Sequence, residues 1–272
     1  METVNPIDNI IVVKVGTSTL FCENEGRERL DDTSFARIGG QVIALSEHDY
    51  NCIIVSSGAV TAGLEAADLS QRPNGDEVMP EIQRLATIGW HRVMNKWDSA
   101  LVGKKLAGEL LLTKRELDLD APEHDEALRT IYTLLSHGDV PIINENDAIT
   151  HSELSHQSFE QNDTLAAVLA AQIMLSPLFS KNVKLVLLSD VDGVYEDVAK
   201  PDTLIHRIED LDEYRHVAGE SNSTCGKGGM LTKFDAIDIA HSAGVDVAIA
   251  NGRAKYAIHK ALLGKIGTFI PA

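Results

Sequence analysis

Short clusters of polar residues and glycines follow the apolar runs of the sequence, where buried strands are expected to end. In open α/β sheets, ligands bind beyond the carboxyl ends of the strands. Lysine and hydroxyl groups suit a phosphate, carboxylates and amides suit an amino acid, and glycine lets the backbone approach a ligand. Together the clusters predict a ligand site at one sheet edge, although each taken alone is compatible with an ordinary turn. They are 14–19 (KVGTST), 56–59 (SSGA), 144–147 (NEND) and 189–193 (SDVDG).

A glycine-rich segment precedes a predicted helix in the last quarter of the sequence. Consecutive glycines before a helix expose backbone N–H groups at the positive end of the helix dipole, which suits a nucleotide phosphate. A flexible hinge is the alternative interpretation. The lysine and threonine stand in the wrong order for a GxxxxGK[ST] P-loop, and no GxGxxG motif follows the first strand. The segment consists of Lys227, Gly228, Gly229, Met230, Leu231, Thr232 and Lys233.

Gln161, Asn162 and Asp163 stand immediately before a small-residue helix predicted over residues 164–171. Asparagine and aspartate are favoured at helix N-caps, so capping is the simplest role for this segment. The alternative is that the aspartate holds two lysines in position beside a ligand.

The elements that must position these residues follow from apolar patterning. Continuous runs rich in isoleucine and valine are typical of strands buried on both faces, and 110–112 is a weaker run of this kind. The five clearest are 10–13, 52–55, 140–143, 185–188 and 245–250. Apolar residues at helical spacing predict helices over 35–45, 82–97, 128–135 and 230–243, whereas 68–80 and 151–161 are expected to be loops. This alternation predicts an α/β fold, a three-layer αβα sandwich with a mainly parallel central sheet.

Composition limits the classes of function. The 272-residue chain has 24 Lys and Arg against 41 Asp and Glu, a formal charge of −17, so no general basic field is available for nucleic acid. Three cysteines without CxxC spacing argue against a disulfide framework or a zinc site, and no apolar run approaches the ~18 residues of a membrane span. We expect a single cytoplasmic domain over 1–272, without nucleic-acid or membrane partners.

Six motifs resemble those of the amino acid kinase family. The resemblance extends from about residue 8 to about residue 269, nearly the whole chain. The NENDA block is the most specific motif and is similar to the branch that phosphorylates glutamate, whereas the GGM block is shared more widely. The motifs are 14–18 (KVGTS), 55–59 (VSSGA), 141–148 (PIINENDA), 162–163 (ND), 188–195 (LSDVDGVY) and 228–233 (GGMLTK).

The resemblance implies γ-phosphoryl transfer from ATP, with Mg²⁺, to the side-chain carboxylate of L-glutamate. It implies an amino-acid lobe over about 1–175 and a nucleotide lobe over about 176–272. Many members form homodimers or homotetramers and are inhibited by proline. The residues implied to bind glutamate are Ser57, Gly58, Asp147 and Asn162. The implied catalytic residues are Lys14, Lys233 and the orienting Asp163, with ATP also held by Ser189, Asp190 and the segment from Lys227 to Lys233. No residue is assigned to a metal.

Three features depart from the family pattern. Glu160 and Gln161 stand where glutamate-phosphorylating members usually have Gly-Asp, Lys227 replaces a usual threonine, and the chain ends at Ala272 without the PUA domain of many bacterial members. Two alternatives therefore stay open. One is a different acceptor, such as aspartate, acetylglutamate or a nucleoside monophosphate, although residues 144–163 offer no Lys or Arg to a nucleotide. The other is a non-catalytic regulator that binds nucleotide or amino acid, which the presence of both lysines and Asp163 disfavours.

Overall fold

A computed structural model describes residues 5–24, 26–73, 78–150, 161–197, 199–219 and 229–272. The strands are β1 (Ile10–Val15), β2 (Phe21–Asn24), β3 (Arg27–Leu30), β4 (Asn51–Ser56), β5 (Ala107–Leu112), β6 (Val140–Glu145), β7 (Val183–Ser189), β8 (Val194–Tyr195), β9 (Leu204–Ile205), β10 (Asp246–Asn251) and β11 (Thr268–Ile270). The helices are α1 (Thr17–Leu20), α2 (Asp32–Ser46), α3 (Ala59–Ala66), α4 (Val78–Leu101), α5 (Pro122–Ser136), α6 (Asn162–Leu175), α7 (Arg215–Gly219), α8 (Met230–Ser242) and α9 (Ala257–Leu262).

Within these described residues, seven strands form the main sheet in the order β11-β10-β7-β1-β4-β6-β5. All neighbours pair in parallel except β11, which runs antiparallel to β10. Side chains of α5, α6 and α8 pack on one face, and side chains of α2, α4 and α9 pack on the other. The predicted αβα sandwich with a mainly parallel sheet is therefore confirmed. No helix in the described ranges has the length and apolar character to cross a membrane.

Strand β1 shows why the apolar runs become strands and where they place the site. All six of its residues are buried, and the strand lies between β4 and β7. Because successive side chains of a strand point to opposite faces, Ile10 and Val12 join the core beneath α6, whereas Ile11 and Val13 join the core beneath α4. The same alternation turns Lys14 towards the α6 face. β-branched side chains favour this extended backbone.

Several boundaries differ from the sequence prediction. Helix α6 begins at Asn162 rather than at 164, and Gln161 occupies the N-cap without a side-chain capping bond. The N-cap predicted for the Gln161-Asn162-Asp163 segment therefore lies at Gln161, whereas Asn162 and Asp163 lie within the helix and their side chains turn to tertiary partners. Helix α4 begins at Val78, inside the predicted 68–80 loop. Of the predicted 151–161 loop, residues 151–160 lie outside the described residues.

Candidate active site

Two lysines from distant parts of the chain meet on one buried aspartate. Lys14 Nζ lies 2.8 Å from Asp163 Oδ1, and Lys233 Nζ donates a hydrogen bond to Asp163 Oδ2 at 3.0 Å. The exposed fraction is 9% for Lys14, 7% for Lys233 and 2% for Asp163. Two positive charges and one negative charge therefore share a space that is almost closed to solvent.

The protonation of this cluster follows from burial and charge. Burial by itself would raise the pKa of the Asp163 carboxyl, but the Lys14 and Lys233 ammonium groups outweigh it and hold that pKa at about 2. Burial also lowers the pKa of Lys14, and the Lys233 charge adds to this, while Asp163 opposes it. Asp163 is therefore ionised at neutral pH. The excess positive charge would favour an anionic ligand beside the two lysines.

Three elements bring this cluster together. Lys14 is the second-last residue of the central strand β1, at the carboxyl end of the sheet. Asp163 lies in the first turn of α6, which packs on that face. Lys233 lies in the first turn of α8, the helix beside α6. The predicted convergence of the two lysines on Asp163 is thus present in the structure.

Asn162, the neighbour of Asp163, organises a second group of polar residues. Its Nδ2 atom donates to Asn144 Oδ1 at 2.8 Å, to Ser57 Oγ at 3.0 Å and to the Ser56 carbonyl at 3.3 Å. Asn144 in turn donates to Asp147 Oδ2 at 3.4 Å. The ends of β4 and β6 and the start of α6 therefore meet here. Three residues that the sequence analysis had assigned to glutamate, Ser57, Asp147 and Asn162, belong to this one network.

Gly58 sets the turn between Ser57 and helix α3. Its φ of 107° is in the left-handed region, which favours glycine. A Cβ atom at this position would lie 2.7 Å from Phe21 Cε2. Gly58 is the N-cap of α3, so the first backbone N–H groups of this helix follow directly after Ser57.

A cavity of about 270 Å³ adjoins Asn144 and Asp147, between α4, β5 and the end of β6. Its acidic lining residues are Glu109, Glu145 and Asp147, and none of the described residues that line it is a lysine or arginine. Burial raises the pKa of Asp147 to about 6, and Glu145 acts in the same direction, whereas Asn144 and Arg72 oppose it. This lining suits an ammonium group better than a phosphate.

The nucleotide-side residues of the sequence analysis are described in part. Ser189 ends β7, the neighbour of β1, and donates a hydrogen bond from Oγ to Asp190 Oδ1 at 3.1 Å. Gly229 is the N-cap of α8, and Thr232 Oγ1 donates to its carbonyl at 2.8 Å. Met230 is half-buried in the first turn of α8, and Leu231 beside it is exposed. Lys227 and Gly228 lie outside the described residues.

The sequence analysis missed one residue of the polar network and one charged neighbour of it. Asn144 was noted within the NEND cluster but was given no role, although it links Asn162 to Asp147. Arg72 belongs to no motif, yet the fold brings it near enough to influence Asp147. The NEND cluster was a usable signal for Asn144, whereas Arg72 offered none because its proximity depends on the path of the loop after α3.

The whole arrangement combines a cationic cluster with a neighbouring acidic cavity. The buried ammonium groups of the cluster can stabilise charge on a phosphoryl group, and the carboxylates of the cavity can hold an amino group. In the parts of the chain that the structure describes, no three His, Cys, Asp or Glu side chains gather as a metal site. The two lysines beside the acidic cavity therefore suit phosphoryl transfer between two bound anions.

Sequence comparison identifies a family. The family model for the amino acid kinase family matches residues 9–251. The chain is 37% identical over 261 residues to glutamate 5-kinase 2 of Pseudoalteromonas translucida, with 94% of this chain and 66% of that protein covered. It is 36% identical to glutamate 5-kinase of Vibrio vulnificus, with 93% and 63% covered, and 34% identical to that of Desulfitobacterium hafniense, with 96% and 68% covered. The chain thus spans about two thirds of the length of these relatives.

Structural comparison agrees on the fold. A structure of isopentenyl phosphate kinase superposes with a TM-score of 0.63 at 19% identity, with 96% of this chain and 100% of that chain covered. The structure of N-acetylglutamate synthase from Neisseria gonorrhoeae superposes with a TM-score of 0.61 at 17% identity, with 97% and 61% covered. At this level of identity the likeness concerns the architecture alone.

Proposed function

Because the chain belongs to the amino acid kinase family, we propose that it transfers the γ-phosphoryl group of ATP to the side-chain carboxylate of L-glutamate. The product would be L-glutamyl 5-phosphate, the first intermediate of proline biosynthesis. The observation that carries the proposal is the convergence of Lys14 and Lys233 on the buried carboxylate of Asp163. Similarity to proteins named glutamate 5-kinase supports the choice of acceptor.

The lysine pair supplies what this reaction lacks. A carboxylate acceptor is already an anion, so it needs no general base, but it must approach a polyphosphate of the same charge. Lys14 and Lys233 would neutralise the transferring group, and Asp163 would fix where their ammonium groups stand. Catalysis then rests mainly on alignment and electrostatic stabilisation, as is common in phosphoryl transfer.

The nucleotide would lie over the carboxyl ends of β7 and β10, beside Ser189 and Asp190 and the first turn of α8. Backbone N–H groups at a helix start are suited to phosphate oxygens. Mg²⁺ binds mainly through substrate phosphates and water, with few protein ligands, so these residues are compatible with an ion that arrives with ATP. When bound, that ion would neutralise part of the phosphate charge.

The amino acid would lie against the Asn162 network. Ser57 Oγ accepts a hydrogen bond from Asn162 and keeps its own hydrogen to donate to the reacting carboxylate. Asn162 would thus bind the amino acid through Ser57, and Gly58 lets the backbone approach it. Asp147, which lines the acidic cavity, would hold the α-ammonium group. A nucleoside monophosphate acceptor would place a second phosphate among Glu109, Glu145 and Asp147, which like-charge repulsion disfavours.

A coupled assay of ADP release with ATP, Mg²⁺ and a panel of acceptors tests the proposal. L-Glutamate should be preferred over aspartate, N-acetylglutamate and a nucleoside monophosphate, and hydroxylamine should trap the acyl phosphate as a hydroxamate. Preference for another acceptor would replace glutamate in the proposal. Binding of ATP and glutamate without ADP release would instead support the non-catalytic regulator. Proline inhibition and a homodimer or homotetramer are further parts of the proposal, checked by added proline and by light scattering.

A further inference from the structure

We propose that Trp97 and Ser56 are positioning residues that set the affinity of the active site for the acceptor. The inference rests on the function proposed above. Ser56 is the last residue of β4 and is buried. Cys52 and Ile54 of this strand face the core beneath α4, and alternation turns Ser56 to the same face. There, its Oγ atom accepts a hydrogen bond from Trp97 Nε1 at 2.9 Å.

Trp97 is held in one orientation. It is completely buried in α4, and its ring packs edge-on against Phe35 with 4.7 Å between the ring centroids. A buried indole N–H that lacks an acceptor is costly, so Ser56 Oγ and the packing of Phe35 select the same ring position. The indole is thus a rigid donor beneath the end of β4.

A chain of hydrogen bonds connects Trp97 to the proposed acceptor site through Ser56 and Ser57. Ser56 Oγ donates to the Ser57 carbonyl at 3.2 Å, and the Ser57 amide N–H donates to the Val15 carbonyl at 3.0 Å. On the other side, Asn162 Nδ2 donates to both Ser57 Oγ and the Ser56 carbonyl. The backbone at Ser56 and Ser57 is therefore fixed between Trp97 and Asn162.

This arrangement predicts a specific kinetic effect. Without the indole donor, Ser56 Oγ can turn away, and the Ser57 carbonyl loses its fixed partner. Among the described residues, the side chains of Lys14 and Lys233 pair with Asp163, and their ion pairs include neither Trp97 nor Ser56. Acceptor binding should therefore weaken while nucleotide binding stays the same.

The test compares Trp97→Phe, Ser56→Ala and the double variant with the wild-type protein. Each single variant should raise the KM for glutamate by about two- to tenfold, the range expected for one lost hydrogen bond. The KM for ATP should change by less than about twofold. The double variant should be no worse than the worse single variant, because both substitutions remove the same hydrogen bond.

Phe35→Leu is the matched control, since it removes the ring packing of Trp97 but no hydrogen-bonding group. It should lower Tm and leave the KM for glutamate unchanged. An equal rise in that KM for Phe35→Leu, additive effects in the double variant, or wild-type KM in both single variants would overturn the positioning role. If Trp97→Phe does not fold, Ser56→Ala decides alone. The wild-type rate with glutamate, measured first, tests the proposed function separately.

Discussion

Asn162 and Asp163 are consecutive in the first turn of α6, yet their side chains serve different parts of the site. Asn162 donates to Ser57 Oγ on the acceptor side, whereas Asp163 receives Lys14 and Lys233 on the phosphate side. One turn of helix therefore sets the spacing between the two proposed substrates. A shift of this turn would displace both sets of contacts at once, which explains why small changes here should have large kinetic effects.

Replacing either lysine should abolish most of the activity without unfolding the protein. Lys14→Ala and Lys233→Ala each remove a donor proposed to stabilise the transferring phosphoryl group, and loss of such a donor commonly lowers kcat by ~10²–10³. Steady-state ADP release and circular dichroism measure the two properties. Lys200→Ala, which breaks an exposed pair with Asp197, is the control and should keep wild-type kcat. Near-wild-type turnover of either buried-lysine variant would remove its assigned role.

Asp163→Asn should lower stability as well as activity. The substitution leaves two buried ammonium groups without their counter-ion, and breaking a buried pair in this way costs about 3–5 kcal/mol. Urea unfolding with and without ATP measures the effect. Because an anion would replace the lost carboxylate charge, ATP should raise the unfolding free energy of the variant by more than that of the wild type. A variant as stable as the wild type would show that the lysines do not need Asp163.

The pKa of Asp163 also predicts a response to acid. The folded-state pKa of about 2 lies below the ordinary value of 3.8, so the ionised carboxylate contributes stability above about pH 4. That contribution is lost as pH falls from about 4 through 2. Wild-type unfolding free energy should therefore decline more steeply over this range than that of Asp163→Asn. Parallel declines in the two proteins would contradict the ion-pair cluster.

Asp147 predicts an opposite pH effect on stability and a change in acceptor affinity near pH 6. Its folded-state pKa of about 6 is above the ordinary 3.8, so folding binds a proton between these values and stability falls as pH rises through them. Asp147→Asn should therefore raise the unfolding free energy at pH 7, by about 1–3 kcal/mol.

The same carboxylate should govern glutamate affinity, because only its ionised form attracts an ammonium group. The kcat/KM for glutamate should fall as pH decreases below about 6, while the KM for ATP stays nearly constant. Asp147→Asn should have a high KM for glutamate that no longer depends on pH in this range. A wild-type profile that is flat between pH 5 and 7 would argue against this role.

Gly58→Ala should destabilise the protein and weaken glutamate binding. The new Cβ would meet Phe21 Cε2 at 2.7 Å, and alanine is strained at a φ of 107°. We expect a loss of about 1–3 kcal/mol in unfolding free energy and a raised KM for glutamate. Gly40→Ala is the contrasting variant. It lies within α2, and beyond its own stretch of helix backbone a new Cβ would meet nothing within 4 Å, so it should be neutral or stabilising. Similar losses in both variants would contradict the strain argument.

The sequence by itself determined the fold class and pointed to most of the side chains that gather at the candidate site. Runs such as 10–13 and 185–188 are wholly apolar because both faces of those strands are covered. This local pattern can be recognised in the sequence without knowledge of the fold. The parallel sheet then places the residues after each run at one edge. Lys14 and Asp163 were identified on that basis together with the family motifs.

Only the tertiary structure decided which side chains touch. The strand order places β1 between β4 and β7, and no local pattern encodes that order. Capping was the simplest local reading of Asn162, but tertiary contacts with Ser57 and Asn144 replaced it. Trp97 reads as one more apolar residue of α4, and its hydrogen bond to Ser56 exists because packing brings an indole N–H beneath the end of β4. Long-range contacts depend on the summed packing of many elements, whereas strand and helix patterns depend on a few neighbours in the chain.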